Sequence, residues 1–298
     1  MIRFVQPEEI QILNSQPQDS HVKILYREVK ERAIQHILAD RFSHSDDACA
    51  WYHVCTSRME DVCVFYLVER NDDAANWIKK RALEISELSE EAWLGPFYRP
   101  KTKPYIGSLE TAHIALALCD AYVNGYTLFD EAEKQKIRSA LKKHGLSLCE
   151  RYLTEVLAGR AFGGRIINWF LVLLNGFGTC AAALEDDAAM ERAMLYCAEA
   201  EKVFNEDSYG ESLQYSSYAA HNLAHFHEVA ERYGVDPARF NTEVYANLMS
   251  WYASSYLGRH FVSRLSGVVP QFFNFGDSAF LYRPSGNLLA RIAKKSNN

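Results

Sequence analysis

The sequence predicts an all-α fold, and three observations support this prediction. Apolar residues recur every three or four positions through most of the chain, as at Val22, Leu25, Tyr26 and Val29, which is the period of one helix face. Residues that favour helix N-termini precede several of these segments. The chain has 298 residues, of which 48% are hydrophobic, so it can bury a large core.

About ten helices are expected in chain order, the first over Ser20–Asp40. Ser108–Tyr126 is apolar on nearly all sides, which predicts a buried helix. Asp130 and Glu133 resemble a capping box, and the helix that follows is predicted to break at Gly145. The last forty residues are rich in loops and aromatic side chains. Helix starts fall near positions 20, 46, 73, 108, 130, 168, 187, 211 and 236, and a final helix is expected around Asn287 to Lys294.

The spacing of these helices is consistent with antiparallel pairs in an incomplete α/α toroid, a single domain over residues 1–298. Periodicity alone does not separate a toroid from a right-handed helical solenoid. In a toroid, helix ends and irregular loops surround a cleft. The segment 89–107 holds three of the eight prolines and predicts such a loop.

Composition excludes several classes of function. The net charge of −6 argues against nucleic-acid binding. No run of about 18 apolar residues predicts a membrane span, and no signal peptide is evident. A cytoplasmic protein is therefore expected, or a periplasmic one if a leader was removed. The seven cysteines form no CxxC pair, which predicts buried free thiols without disulfides, metal or cofactor.

Four short motifs occur in one order along the chain. They are GSLETAHIALALCDAY over 107–122, Asn168-Trp169 followed by Asn175-Gly176, DSYGESLQYSSY over 207–218, and FNFGDS over 273–278. Together these motifs resemble those of the heparinase II/III-like polysaccharide lyases. The resemblance implies an N-terminal α/α toroid that acts on a uronate-containing polysaccharide or oligosaccharide.

Members of that family normally continue into an antiparallel β-sandwich, which supplies a catalytic histidine and sometimes a metal site. This chain ends at Asn298, so the sandwich is expected in a longer protein. Whether the chain turns over an acidic polysaccharide without that partner domain is left open by the sequence.

β-Elimination of a uronate needs a group that neutralises the carboxylate, a base for the C5 proton and an acid for the leaving oxygen. By its place in the motif, the amide of Asn168 is the candidate for the carboxylate. Tyr215 is the candidate for base and acid, provided that nearby positive charge lowers its pKa. The alternatives are a helix N-cap for Asn168 and a core tyrosine for Tyr215.

Five further residues are candidates for substrate binding. Trp169 stands where some members have a histidine, and it could stack on a sugar or fill core. Arg165 could bind an acidic sugar, and Glu211 matches the family's glutamate but also suits a helix start. Tyr218 and His113 are cleft candidates whose alternative role is packing.

Two other functions remain alternatives. An α/α-toroid glycoside hydrolase would need two carboxylates about 5 to 10 Å apart, from Glu110, Asp207, Glu211 and Asp277. A non-catalytic carbohydrate-binding domain would need neither. His221 and His225 are spaced as a metal pair, but no third ligand is evident from the sequence. Binding of a polyanion would require a local basic cluster, for which the candidates are Arg99, Lys101, Lys103, Arg160 and Arg165.

Overall fold

The computed structural model describes residues 2–39, 50–95, 103–204, 211–262, 267–273 and 286–295. These residues form an all-α fold in which helices pack against one another, as predicted. The helices are α1 Pro7–Ser15, α2 His21–Ala39, α3 Ala50–Glu69, α4 Asp72–Ser86, α5 Leu109–Asn124, α6 Glu131–Ala140, α7 Ser147–Leu157, α8 Asn168–Leu184, α9 Asp187–Lys202, α10 Leu213–Tyr233, α11 Glu243–Ser254 and α12 Gly286–Lys295.

Helix starts follow the local signals of the sequence. The side chain of Asn71 accepts a hydrogen bond from the Ala74 amide at the start of α4. Ser108 caps α5, and Asp130 and Glu133 form the predicted capping box of α6. Each cap satisfies backbone N–H groups that the first helical turn leaves without partners.

Contacts divide the chain into two compact units, and the first comprises Met1–Tyr152 and Gly176–Met190. Its centre is α5, which is buried on nearly all sides as predicted and packs against α3, α4 and α6. A Cβ atom at Gly176 of α8 would lie 2.9 Å from the Cβ of Ala112 on α5. The glycine thus permits a close approach of these two helices.

The second unit comprises Leu153–Asn175 and Glu191–Asn298. Its helix α10 is buried along most of its length, and α12 packs against α10 and α11. Two strands, β1 Tyr256–Val262 and β2 Gly267–Phe272, form an antiparallel pair with Arg259 opposite Pro270. A single toroid domain over residues 1–298 stays a prediction.

The structure differs from the sequence prediction in three places. Helix α1, Pro7–Ser15, precedes the segment that was expected to form the first helix. The helix expected over Asp236–Leu257 is wrong at both ends, because a 3₁₀ turn precedes α11 and β1 follows it. Val262 and the β-branched residues of β2 favour strands, and Gly258 has a φ of 99° where the pairing shifts register. The break expected at Gly145 is instead a π-helical stretch, Leu141–Leu146, that leads directly into α7.

The described cysteines confirm the prediction of buried free thiols, since all six are buried and none forms a disulfide. Cys49 lies outside the described residues. Within the described ranges, no helix combines the length and the apolar character that crossing a membrane requires.

Candidate functional site

The starts of α8 and α10 lie together in the second unit. The backbone N–H of Asn168 and its Nδ2 atom donate to the two carboxylate oxygens of Glu211, at 2.6 and 2.7 Å. Two turns further along α8, Asn175 Nδ2 donates to Asn222 Oδ1 of α10 at 3.0 Å. The two contacts advance in the same direction along both helices. Therefore α8 and α10 run parallel, with their N-terminal ends side by side.

Asn168 is the first residue of α8 and is 3% exposed. Its Oδ1 atom is buried and has no hydrogen-bond partner among the described residues. The alternative role of Asn168 as a side-chain cap of its own helix is therefore not what the structure shows. A buried carbonyl oxygen without a protein partner can accept a hydrogen bond from a water molecule or from a ligand.

Glu211 stabilises the start of α8 from another segment of the chain. It lies two residues before α10, whose N-cap is Ser212, and its carboxylate accepts from the first amide of α8. A carboxylate is favoured at this position by the partial positive charge of a helix N-terminus. Among the described residues, Glu211 is bonded to Asn168 and to no cation.

Tyr215 lies in the first turn of α10 and its side chain is half-buried. The Ser212 hydroxyl accepts from the Tyr215 amide at 3.4 Å and caps the helix. The Asn175–Asn222 pair sets an offset of 47 positions between α8 and α10 (222 − 175), and the same offset relates Tyr215 to Asn168. Position 168 lies seven residues before Asn175, and position 215 lies seven residues before Asn222. Seven residues are about two turns on either helix, so positions 168 and 215 lie at the same height along the two parallel helices.

A network of polar side chains continues towards the C-terminal ends of α8 and α10. His225 on α10 bonds through Nδ1 to Asn175 Oδ1 at 2.8 Å, and Asn222 Nδ2 donates to the Tyr218 carbonyl oxygen at 2.9 Å. Burial lowers the pKa of His225 to about 3, helped by the charge of Arg291. The imidazole is therefore neutral and donates its Nδ1 proton to Asn175. The Asn175-Gly176 motif was the sequence signal for this network.

The turn before α8 carries the other candidates. Trp169 is half-buried, and its ring lies 5.5 Å from that of Phe162, which is 49% exposed. Arg165 is exposed, and its guanidinium forms no ion pair with any described residue. Arg160 is instead neutralised by two hydrogen bonds of 2.7 Å to Glu155.

Three further residues belong to the predicted basic cluster. Lys103 belongs to the first unit, where its ammonium lies over the ring of Tyr105. Arg99 and Lys101 lie outside the described residues. Within the described part of the turn before α8, Arg165 is thus the cation left for an acidic ligand.

Tyr218 and His113 differ in how far they are buried. Tyr218 is half-buried on α10. His113 is 8% exposed in the core of the first unit, with Nδ1 3.2 Å from the Thr56 hydroxyl oxygen. That hydroxyl donates to the His113 carbonyl oxygen at 2.9 Å. The substrate contacts expected of both residues stay predictions.

The carboxylates considered for hydrolysis are not seen as a pair. Glu110 is 2% exposed in the first unit and packs under Gly95, where a Cβ would lie 2.3 Å from its Cγ. Glu211 is bonded to Asn168. Asp207 and Asp277 lie outside the described residues.

Sequence reasoning missed a second polar cluster, which lies between α9 and α10. Cys197, Glu201 and His227 are 1%, 5% and 0% exposed, and their polar atoms converge. The Tyr245 hydroxyl lies 2.7 Å from the other ring nitrogen of His227. The spacing of Cys197 and Glu201, one turn apart on a helix, was the available signal.

Comparison with known proteins adds no family. No protein-family model matches the chain, and no curated protein matches it either. The likeness to heparinase II/III-like lyases therefore rests on the four short motifs.

Proposed function

We propose that this chain is a polysaccharide-lyase-type domain that binds a uronate-containing polysaccharide at the paired starts of α8 and α10. The observation that carries the proposal is the buried amide of Asn168, whose Oδ1 lacks a partner and which lies level with Tyr215. The proposed partners are the acidic polysaccharide and, in a longer protein, a β-sandwich domain.

Asn168 serves the substrate carboxylate in this proposal. One hydrogen of its Nδ2 group bonds to Glu211, and the second hydrogen is available to donate to the substrate carboxylate. Oδ1 can only accept, so its proposed partner is a hydroxyl group of the sugar. The partial positive charge at the start of α8 also favours an anion there. Because Asn168 is 3% exposed, a uronate reaches it only when side chains at the helix starts move.

Tyr215 performs the proton transfers. Its phenolate removes the C5 proton, the electron pair of the C–H bond forms the C4–C5 double bond, and the C4–O4 bond breaks. The phenol then returns a proton to the departing oxygen. Positive charge near the phenol would favour the phenolate. Arg165, an exposed residue of the turn before α8, is the proposed source of that charge.

Glu211 acts as a positioning residue rather than a catalytic one. Its two bonds to Asn168 fix both the amide and the start of α8. Such a support keeps the amide in one rotamer before substrate binds, which is what stabilisation of a developing enolate requires.

A panel of uronate polysaccharides tests the proposal. A lyase releases an unsaturated uronide that absorbs in the ultraviolet, whereas a hydrolase releases reducing ends without that absorbance. Release of reducing ends alone would overturn the proposed lyase in favour of the glycosidase. Binding without turnover by a longer protein that includes the proposed β-sandwich would overturn it in favour of a carbohydrate-binding domain.

The tyrosine is tested by a matched pair of variants. Tyr215→Phe is expected to lower kcat by about 10²- to 10⁴-fold, the usual contribution of a general acid–base group. Tyr233→Phe, also half-buried but at the opposite end of α10, is expected to leave kcat unchanged. Equal rates for the two variants would remove Tyr215 from the mechanism.

A further inference from the structure

A buried cluster of three metal-ligand side chains lies apart from the paired helix starts. Cys197 and Glu201 lie one turn apart on α9, and His227 faces them from α10. Cys197 Sγ lies 3.3 Å from His227 Nε2 and 3.6 Å from Glu201 Oε1, and the His227–Glu201 distance is 3.1 Å. We propose that Cys197, Glu201 and His227 bind a zinc ion.

The triangle of ligand atoms has the size that tetrahedral zinc requires. Zinc bonds of about 2.0 to 2.3 Å at tetrahedral angles separate neighbouring ligand atoms by about 3.3 to 3.6 Å. The three observed separations lie within a few tenths of an ångström of that range. Thiolate, imidazole and carboxylate are also the side-chain ligands that zinc takes in proteins.

The charge of the cluster favours a cation. The Glu201 carboxylate is 5% exposed, and its partners among the described residues are Cys197, His227 and the Asn241 amide. None of these carries a fixed positive charge, and buried carboxylates normally pair with a cation. A divalent ion would compensate both this carboxylate and the thiolate that metal binding creates.

The surroundings orient the imidazole for a metal. Nε2 faces Cys197 and Glu201, while Nδ1 lies 2.7 Å from the Tyr245 hydroxyl. The ring also stacks on Phe240, with centroids 4.3 Å apart. Metal-ligating histidines typically use the second nitrogen for such a hydrogen bond, which fixes the tautomer. Three protein ligands leave the fourth zinc position for water.

Metal binding by the full chain is the first test. The protein is stripped with a chelator and titrated with Zn²⁺ alone, and a second sample is titrated with Co²⁺ as a spectroscopic probe. The expected result is about one tight zinc per chain and a thiolate-to-cobalt charge-transfer band with the intense visible bands of tetrahedral cobalt. No tight zinc, or cobalt without a thiolate band, would overturn the proposal.

Variants locate the ion. Cys197→Ser is expected to remove the charge-transfer band and to weaken zinc binding by more than about 100-fold. Loss of a residue that only hydrogen-bonds to a metal ligand weakens binding by about 10- to 100-fold. Cys63→Ser is the matched control, because Cys63 is also 1% exposed and belongs to the first unit. A band that survives Cys197→Ser or disappears with Cys63→Ser would assign the metal elsewhere.

Tyr245→Phe provides a variant that keeps all three ligands and the shape of the core. Loss of its hydroxyl is expected to weaken zinc binding by about 10- to 100-fold while the cobalt band remains. Unchanged zinc affinity would contradict the proposed orientation of His227. These readouts do not depend on lyase activity, so the zinc proposal and the proposed function fail separately.

Discussion

The two buried polar clusters along α10 differ in how completely the protein satisfies them. At the helix starts, Asn168 keeps an amide oxygen without a partner. In the middle of α10, both ring nitrogens of His227 have partners, and the ring is fully buried. The first arrangement is suited to a ligand that arrives and leaves, and the second to a permanent structural contact or ion. In the two proposals, the first cluster exchanges a ligand and the second holds an ion that stabilises the fold.

The largest effect is expected from removing His227. His227→Ala leaves the Glu201 carboxylate buried beside an empty volume, and we expect the free energy of unfolding to fall by about 3 to 5 kcal/mol. Urea denaturation measures this change. His36→Ala is the control, since Asp61 keeps its bonds to Arg32 and the expected loss is about 1 kcal/mol or less. Similar losses for the two variants would show that the His227 cluster is not a stability centre.

A smaller effect is expected at the paired starts of α8 and α10. Asn168→Asp places a second carboxylate against Glu211, and we expect a loss of about 3 kcal/mol at neutral pH. Asn168→Ala leaves the backbone bond to Glu211 intact and should cost about 1 kcal/mol.

The pH dependence distinguishes repulsion from lost packing at this position. Two adjacent carboxyls share a proton readily, so the folded Asn168→Asp chain binds protons more tightly than the unfolded chain. Its deficit relative to the native protein should therefore shrink as the pH falls towards about 4. A deficit that is constant with pH would contradict the Asn168–Glu211 contact.

At neutral pH the smallest effect is expected from His225, because its contribution to stability changes only in acid. The folded chain lowers the pKa of His225 to about 3, whereas an unfolded histidine titrates near about 6.5. The unfolded state thus binds the extra proton, and stability falls as the pH drops from about 6.5 towards 3. One such group contributes at most about 1.4 kcal/mol per pH unit.

His225→Gln tests this slope, because a glutamine amide can still donate to Asn175 Oδ1. We expect the variant to lose stability less steeply than the native chain in acid, as measured by urea denaturation at several pH values. His21→Gln, at an exposed position, controls for the loss of a histidine. An unchanged slope in His225→Gln would mean that other groups cause the acid sensitivity.

Much of the helical architecture was predictable because its causes are local. The caps at Asn71, Ser108 and Asp130 act on amides within three residues, and the apolar character of α5 directly predicts its burial. The pairing of β1 with β2 was missed because strand pairing depends on a partner segment. The turn signal Ser266-Gly267, directly before Val268, was interpreted only as part of a loop-rich segment.

The sequence by itself determined the all-α character, most helix starts, the buried thiols and the candidates Asn168 and Tyr215. Only the tertiary structure decided that α8 and α10 run parallel, that Glu211 holds Asn168, and that Cys197 meets His227. The helical character and the helix starts follow from interactions within a few residues of the chain, whereas the two candidates come from the resemblance of the motifs. The tertiary contacts join side chains 30 to 47 positions apart, whose proximity depends on how whole helices pack.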